Sequence, residues 1–318
     1  MQKTISIIVP IHNEEKNIPL LYAELVHVFQ PLSYQYEILF VNDGSTDASQ
    51  EVMNALAQKD ASVRTIEFSR NFGKESATTA GLHYATGDSV IIIDADLQHP
   101  PVLIPQFIAQ WEAGTDVVIG IRQSNKNIGF IKSAGSFLYY KIINAISDTP
   151  ILAGSTDFRL IDRTVVDVFN TFTEHERITR GLIDWLGFRR SYITFDANER
   201  INGEASYSFL KLLKLGISSS IAHSLFPLKF AGYFGVFIMT ISGIGGIVVF
   251  IERYIYHDVL NWDISGTAQL AILMIFFIGI TLSCLGLIAL YIGNIHNEVS
   301  GRPLYVVRSV HNIEKQHV

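Results

Sequence analysis

The sequence predicts an α/β domain, built on a mainly parallel sheet with helices on both faces, followed by a membrane-anchoring C-terminal segment. Three observations lead there. Short β-branched runs alternate with helical patterns over about the first 120 residues. Acidic and amide side chains cluster directly after three of those runs. Two long uncharged apolar runs follow residue 225. The 318 residues are 48% hydrophobic and 17% charged, with a mean hydropathy of +0.27. That is too apolar for an ordinary soluble chain of this length, and the excess lies in the last third.

Strand patterns cover residues 5–9, 37–41, 63–68, 89–94 and 116–120, each short, β-branched and bounded by turn residues. Helical patterns lie between them at 17–29, 46–58, 74–85 and 102–111. Such alternation builds parallel pairs through helical crossovers. Ligands of these sheets bind beyond the carboxyl ends of the strands. Three polar motifs fall there: His12-Asn13-Glu14-Glu15, Asn42-Asp43-Gly44-Ser45-Thr46-Asp47 and Asp94-Ala95-Asp96. The chain opens on a strand pattern at Thr4, so no cleaved signal peptide is expected.

Residues 230–251 and 268–292 carry no Asp, Glu, Lys or Arg, and each run is long enough to reach across the ~30 Å hydrocarbon layer as a helix. Buried core helices are the competing reading. Arg200, Lys211, Lys214 and Lys229 precede the pair, and Arg302, Arg308 and Lys315 follow it. Basic residues at the outer ends place both termini on the cytoplasmic side of the plasma membrane. The expected division is an α/β domain over 1–206, an amphipathic juxtamembrane segment over 207–229, two spans joined by a short non-cytoplasmic loop, and a cytoplasmic tail over 293–318. Small residues four apart, Ser242 with Gly246 and Gly279 with Ser283, permit close helix association. Residues 129–146, with Lys132 and Lys141, and 207–220, with Lys211 and Lys214, mix cations with large apolar side chains as interfacial helices do.

Several classes are excluded or disfavoured. A net charge of −6 argues against a bulk nucleic-acid binder. One cysteine, Cys284, rules out a disulfide framework and a cysteine-based zinc site. Phosphate-loop, dinucleotide-fingerprint, serine-elbow and H-E-x-x-H patterns do not occur. The apolar runs lack the ionisable residues that mark a transport pathway.

Asp94 and Asp96 stand two apart at the end of an isoleucine-rich strand, so both point to one side. Two carboxylates so placed suit a hard cation that also takes phosphate oxygens. Turn and helix-cap roles are the plain alternative. Asp43 before Gly44 fits either an Asx turn or a hydrogen-bond acceptor for a base N–H. Glu14 and Glu15 fit either a helix cap or a contact to a ribose hydroxyl.

Taken with these, Val9-Pro10-Ile11-His12-Asn13-Glu14-Glu15, Val41 to Asp47, and Asp94-Ala95-Asp96-Leu97-Gln98-His99-Pro100 resemble the ordered signatures of glycosyltransferase family 2. Ser69-Arg70-Asn71-Phe72-Gly73-Lys74, Ser155-Thr156-Asp157-Phe158-Arg159-Leu160, Arg200 with Asn202-Gly203-Glu204, and Arg302-Pro303-Leu304-Tyr305 narrow the resemblance to the polyprenyl-phosphate glycosyltransferases, over essentially the whole chain. The resemblance implies a GT-A type domain on the cytoplasmic face and a homo-oligomer. It implies a nucleotide-sugar site at Pro10, Glu14, Asp43, Asp94 and Arg122, with Asp43 toward the base, Glu14 toward the ribose and Arg122 toward the diphosphate. It further implies Mg²⁺ or Mn²⁺ on Asp96 and Gln98, Asp157 as the catalytic base, and Arg200 with Lys132 toward the acceptor phosphate. The sequence departs from relatives at Ala205-Ser206, where Ser-Lys is frequent, and at His12, where Tyr is frequent.

The reaction so implied is inverting transfer of a hexose, glucose from UDP-glucose, to undecaprenyl phosphate. GDP-mannose is the alternative donor. A processive polysaccharide synthase and a non-catalytic membrane assembly subunit are the competing functions. A phosphate monoester has a second pKa of about 6, so at neutral pH it carries little proton for Asp157 to remove. Orienting the acceptor, or taking the proton from the monoanion, is the expected role of that carboxylate.

Overall fold

A computed structural model describes residues 2–123, 154–174, 177–196, 251 and 266–313. The chain divides into two units, one of residues 1–145, 149–206 and 302–318 and the other of residues 146–148 and 207–301. Lys132, Arg200, the apolar run 230–251 and both amphipathic segments lie outside the described residues, apart from Ile251.

In the first unit, β1 (Thr4–Ile11), β2 (Gln35–Asn42), β3 (Val63–Phe68), β4 (Ser89–Ile92) and β5 (Val117–Arg122) follow the expected strands to within a few residues. Helices α1 (Ile18–Phe29), α2 (Ser49–Lys59), α3 (Lys74–Tyr84) and α4 (Ile104–Glu112) separate them. Beyond them come β6 (Ser155–Asp162), α5 (Arg163–Asn170), α6 (Thr179–Trp185), β7 (Arg190–Phe195) and β8 (Val307–His311). The sheet order is β7-β5-β6-β4-β1-β2-β3-β8. Neighbours are parallel except where β6 runs antiparallel to β4 and β5, and β8 antiparallel to β3.

The alternation of side chains along each strand divides the core in two. On one face Ile5, Ile7 and Val9 pack with Leu21 and Leu25 of α1, Met53 of α2 and Phe107 of α4. On the other, Ile8, Leu39 and Val41 pack with Ala77, Ala80 and Leu82 of α3, and with Val165 and Phe169 of α5. Small residues let α3 lie close to the sheet. A Cβ on Gly81 would come 2.3 Å from Cγ2 of Ile8. The helices on both faces and the mainly parallel sheet are those the sequence predicts.

Pro10 lies in a central strand without disrupting it. The Ile93 amide donates to the Ile8 carbonyl at 3.0 Å, so even-numbered residues of β1 face β4. The β1–β4 register ends at Ile8 and Ile92. Pro10 is two residues further on, where its missing N–H forgoes no ladder bond.

The second unit contains α7 (Gly266–Val299), a continuous helix of 34 residues. Cys284, in its apolar run, is partly exposed. Counted over the described residues, no helix is long and apolar enough to cross a membrane.

Candidate functional site

The carboxyl ends of β1, β2, β3, β4 and β5, with the amino end of antiparallel β6, share one edge of the sheet. That edge gathers Pro10, Glu14, Asp43, Asp94, Asp96, Gln98, Arg122 and Asp157. Lys74, at the start of α3 after β3, joins them.

At the β1–β2 end the two polar motifs are bonded to each other. The Asn13 amide donates to Oγ of Ser45 at 3.0 Å, and the Thr46 amide to Oδ1 of Asn13 at 2.8 Å. The Glu14 amide donates to Oγ of Ser49 at 2.9 Å. The Ala48 amide donates to Oε2 of Glu15 at 3.0 Å. The Glu14 carboxylate accepts from Nδ2 of Asn17 at 2.6 Å, the residue that precedes α1.

Asp43 is buried, and its carboxylate accepts the backbone N–H of Phe72 at 2.6 Å and of Gly73 at 2.9 Å. Burial pushes its pKa above the usual carboxylate value, against the pull of those amide bonds. Here Asp43 anchors the loop after β3. The loop lies so close that Gly44 has no room for a side chain: a Cβ there would come 2.4 Å from the Arg70 carbonyl carbon and the Asn71 nitrogen. Its φ of +63° also favours glycine. His12 closes the same corner, with Nδ1 3.0 Å from the Asp43 carbonyl oxygen.

The β4 end is built differently. Ala95, Leu97 and His99 are buried, while Asp94, Asp96 and Gln98 between them are partly exposed. The alternation turns three oxygen-bearing side chains to the open side. The Gln98 amide donates to Oδ1 of Asp96 at 3.2 Å. Leu97 between them has φ +61°, a conformation that costs a non-glycine residue about 1–3 kcal/mol. That strain sits between the two expected metal ligands. The Asp94 amide donates to Nδ1 of His99 at 3.2 Å. This places the imidazole proton on Nε2, and burial lowers the His99 pKa in keeping with a neutral ring. The ring stacks on Phe158 at 5.3 Å, tying the end of β4 to β6.

The β4–β6 register pairs Ser89 with Asp162 and Ile92 with Arg159. Continued two residues past Ile92, it sets Asp94 opposite Asp157. Like charges directly opposed repel. Lys74 resolves this: its Nζ lies 2.6 Å from Oδ1 of Asp94 and 2.8 Å from Oδ2 of Asp157. Burial alone would raise the Asp157 pKa, but the charge and hydrogen bond of Lys74, with the charges of Arg180 and Arg159, bring it to about 2. Burial would likewise lower the Lys74 pKa, and the two carboxylates raise it instead. The cluster stands in an open cleft, with Lys74 42% exposed and Asp157 30%, so solvent moderates these attractions.

Next to Asp157, a small cleft is lined by Glu75, Thr78, Ile92, Arg159, Thr179 and Arg180. Arg159 is buried and pairs with Asp184 at 3.4 Å. Glu75 accepts from the Thr179 amide at 2.8 Å and hydroxyl at 2.6 Å. Arg122 is exposed at the end of β5, and its amide donates to the Gly154 carbonyl at 2.9 Å.

No group of three His, Cys, Asp or Glu side chains among the described residues is arranged to hold a metal by itself. The open-side oxygens of Asp96 and Gln98 fit a different case, a hard divalent cation completed by phosphate oxygens. Reading the sequence assigned no role to Lys74, His99, Glu75 or Arg180. Lys74 did carry a signal. A cation in the first turn of a helix opposes the macrodipole, so something other than helix stability keeps it there.

Residues 6–169 match the family described as Glycosyl transferase family 2. The chain is 38% identical over 313 residues to the uncharacterized glycosyltransferase YkcC of Bacillus subtilis (strain 168), covering 98% of this chain and 96% of that one. It is 37% identical over 308 residues to the bactoprenol glucosyl transferase of Shigella phage SfII, covering 96% and 98%. The prophage bactoprenol glucosyl transferase homolog of Escherichia coli (strain K12) is 36% identical over 306 residues, covering 96% and 99%.

Proposed function

Because this chain belongs to glycosyltransferase family 2, we propose that it transfers glucose from UDP-glucose to undecaprenyl phosphate at the cytoplasmic face of the plasma membrane. The observation that carries the reading is the gathering of the donor-motif residues and Asp157 on one sheet edge. The choice of sugar and acceptor rests on relatives named bactoprenol glucosyl transferase, matched over 96% of this chain.

In the proposed reaction an oxygen of the lipid phosphate attacks the anomeric carbon. The bond from that carbon to the UDP oxygen breaks, the centre inverts and UDP leaves. The attacking dianion becomes a phosphodiester, so no proton has to move. Mg²⁺ or Mn²⁺ on Asp96 and Gln98 would supply charge neutralisation for the departing diphosphate. Arg122 adds a permanent, bidentate cation at the same edge. Asp43 and Glu14 hold the β1–β2 corner in shape for the nucleoside, Asp43 at the base side and Glu14 at the ribose side. A carboxylate whose pKa is about 2 is a poor proton acceptor near neutrality. Asp157 therefore acts by orienting the acceptor and by charge. Lys132 and Arg200 are proposed to meet the acceptor phosphate.

The membrane hairpin belongs to the same proposal. The chain leaves the α/β unit after residue 206 and rejoins it at 302, and β8 pairs with β3. A chain that returns to the same folded unit crosses a bilayer an even number of times. The uncharged runs 230–251 and 268–292 supply two crossings. A homo-oligomer is part of the same proposal, supported by the family resemblance and by small residues on both runs that permit close helix contact.

Purified full-length protein should move label from UDP-[¹⁴C]glucose into undecaprenyl phosphate with Mg²⁺ and not with EDTA. Transfer from GDP-mannose alone would replace the donor. Labelled lipid from neither donor would overturn the proposal.

A further inference from the structure

We infer that Lys74 is a positioning residue for the transfer step, a clamp whose ammonium holds Asp157 against Asp94 across the β4–β6 register. Three independent features support the clamp. Continued two residues past its last pair, Ile92 with Arg159, the register brings the two carboxylates opposite each other, and Nζ of Lys74 lies within 2.8 Å of both. The backbone of Lys74 is fixed on either side. Just before it, the Phe72 and Gly73 amides are held by the buried Asp43 carboxylate. Just after it, Glu75 is bonded to Thr179 at the start of α6. Finally, an ammonium in the first turn of α3 works against the helix dipole, and the two carboxylates offset that cost. The donor corner and the Asp157 cleft are thereby joined through one side chain. A shift of about 1 Å at a reacting group can lower a rate roughly 100-fold, so a clamp of this kind governs turnover rather than donor affinity.

The kinetic arm of the test rests on the proposed transfer reaction, and the stability arm does not. In full-length protein, Lys74→Met should lower kcat roughly 100-fold with the KM for UDP-glucose nearly unchanged. Lys74→Arg should restore most of the loss. Retained kcat in Lys74→Met, or a loss confined to KM, would overturn the inference; the latter would make Lys74 a donor ligand. Thermal unfolding without substrate reads the clamp directly. Asp157→Asn should raise Tm in the Lys74→Met background, where it relieves the opposed carboxylates. It should lower Tm in the wild-type background, where it removes an ion pair. Equal Tm changes in the two backgrounds would show that Lys74 and Asp157 are not coupled, and would overturn the clamp whether or not glucose is transferred.

Discussion

The β1–β2 end of the sheet and the β4–β6 end solve different problems with the same residue type. At the first, Asp43 is buried and spends its carboxylate on two backbone amides. Burial raises its pKa. At the second, Asp157 stands in a partly open cleft against an ammonium, and its pKa falls to about 2. Hydrogen bonds to backbone fix shape and do not exchange easily. Ion pairs in an open cleft hold charge ready for an arriving charged group. The first end is built to hold a form, the second to hold a charge.

The largest expected effect tests the charged end. Asp157→Asn should lower kcat by about 10²–10³-fold, the range for loss of a preorganised electrostatic group at the reacting centre. The pH profile separates the roles. With its pKa at about 2, Asp157 stays ionised throughout the working range. Any acid limb near pH 6 would belong to the second ionisation of the lipid phosphate, and should persist in the residual activity of Asp157→Asn. Disappearance of that limb in the variant would make Asp157 the titrating base. The same shift has a consequence for stability. A carboxyl whose pKa is depressed on folding stabilises the protein above its ordinary value of 3.8, and loses that contribution as pH falls toward about 2. Asp43, raised on folding, acts with the opposite sign: its ionisation disfavours the folded state as pH rises.

Gly44→Ala tests the shaped end. The substitution meets both a left-handed φ and backbone atoms at 2.4 Å. Backbone strain alone costs about 1–3 kcal/mol, and the loop after β3 must also retreat. Equilibrium unfolding should show a loss of about 3 kcal/mol or more, and the KM for the donor should rise more than kcat falls. An unchanged donor KM would mean that the corner's shape does not matter to binding.

These two ends were not equally legible in the sequence. Strands β1 to β5 and their helices follow from periodicity, because each strand is short, apolar and bounded by turns. The motif after each strand then lands on the correct edge by topology alone. Strand β6 gives no such signal. Ser155-Thr156-Asp157-Phe158-Arg159 mixes polar and charged residues because its amino end lines the cleft. Its antiparallel direction follows from tertiary pairing on both sides, which periodicity does not encode. Arg159 illustrates the difficulty: an arginine in a strand reads as exposed, yet it is 1% exposed and paired with Asp184. Lys74 appeared only as one letter of a motif, since its role depends on the register of two strands distant in sequence. Strand β8 follows a long apolar run and reads as a tail.

That tail gives the next prediction. Tyr305, just before β8, stacks on Phe68 of β3 with ring centroids 5.0 Å apart and planes at 11°. Phe68 in turn meets Phe72 edge-on at 5.8 Å, next to the amides that Asp43 holds. Tyr305→Ala should lower stability by about 1–3 kcal/mol, through the lost aromatic pair and the space left behind. If the tail also supports the shaped corner, the donor KM should rise in step with the effect of Gly44→Ala, though by less. A stability loss with donor KM unchanged would confine the tail to holding the sheet edge.

The smallest effect is expected at Arg308, on the same strand. It reaches Glu67 at 3.0 Å and donates to the Ser69 carbonyl at 3.0 Å, which resembles a latch on the loop that Asp43 anchors. Its exposure argues otherwise. Arg308 is 61% exposed, so water and salt compete for the guanidinium. Glu67 does not depend on it, because Oε2 accepts from the Ser309 hydroxyl at 2.7 Å. Nor does the loop, because the Ser69 amide donates to the Val306 carbonyl at 2.9 Å. Arg308→Ala should therefore cost no more than about 1 kcal/mol, and the difference from wild type should shrink as salt is raised. A larger, salt-insensitive loss would mean that the tail is fastened by charge rather than by the Tyr305–Phe68 stack. The open charged chemistry of the β4–β6 end would then extend to the far edge of the sheet.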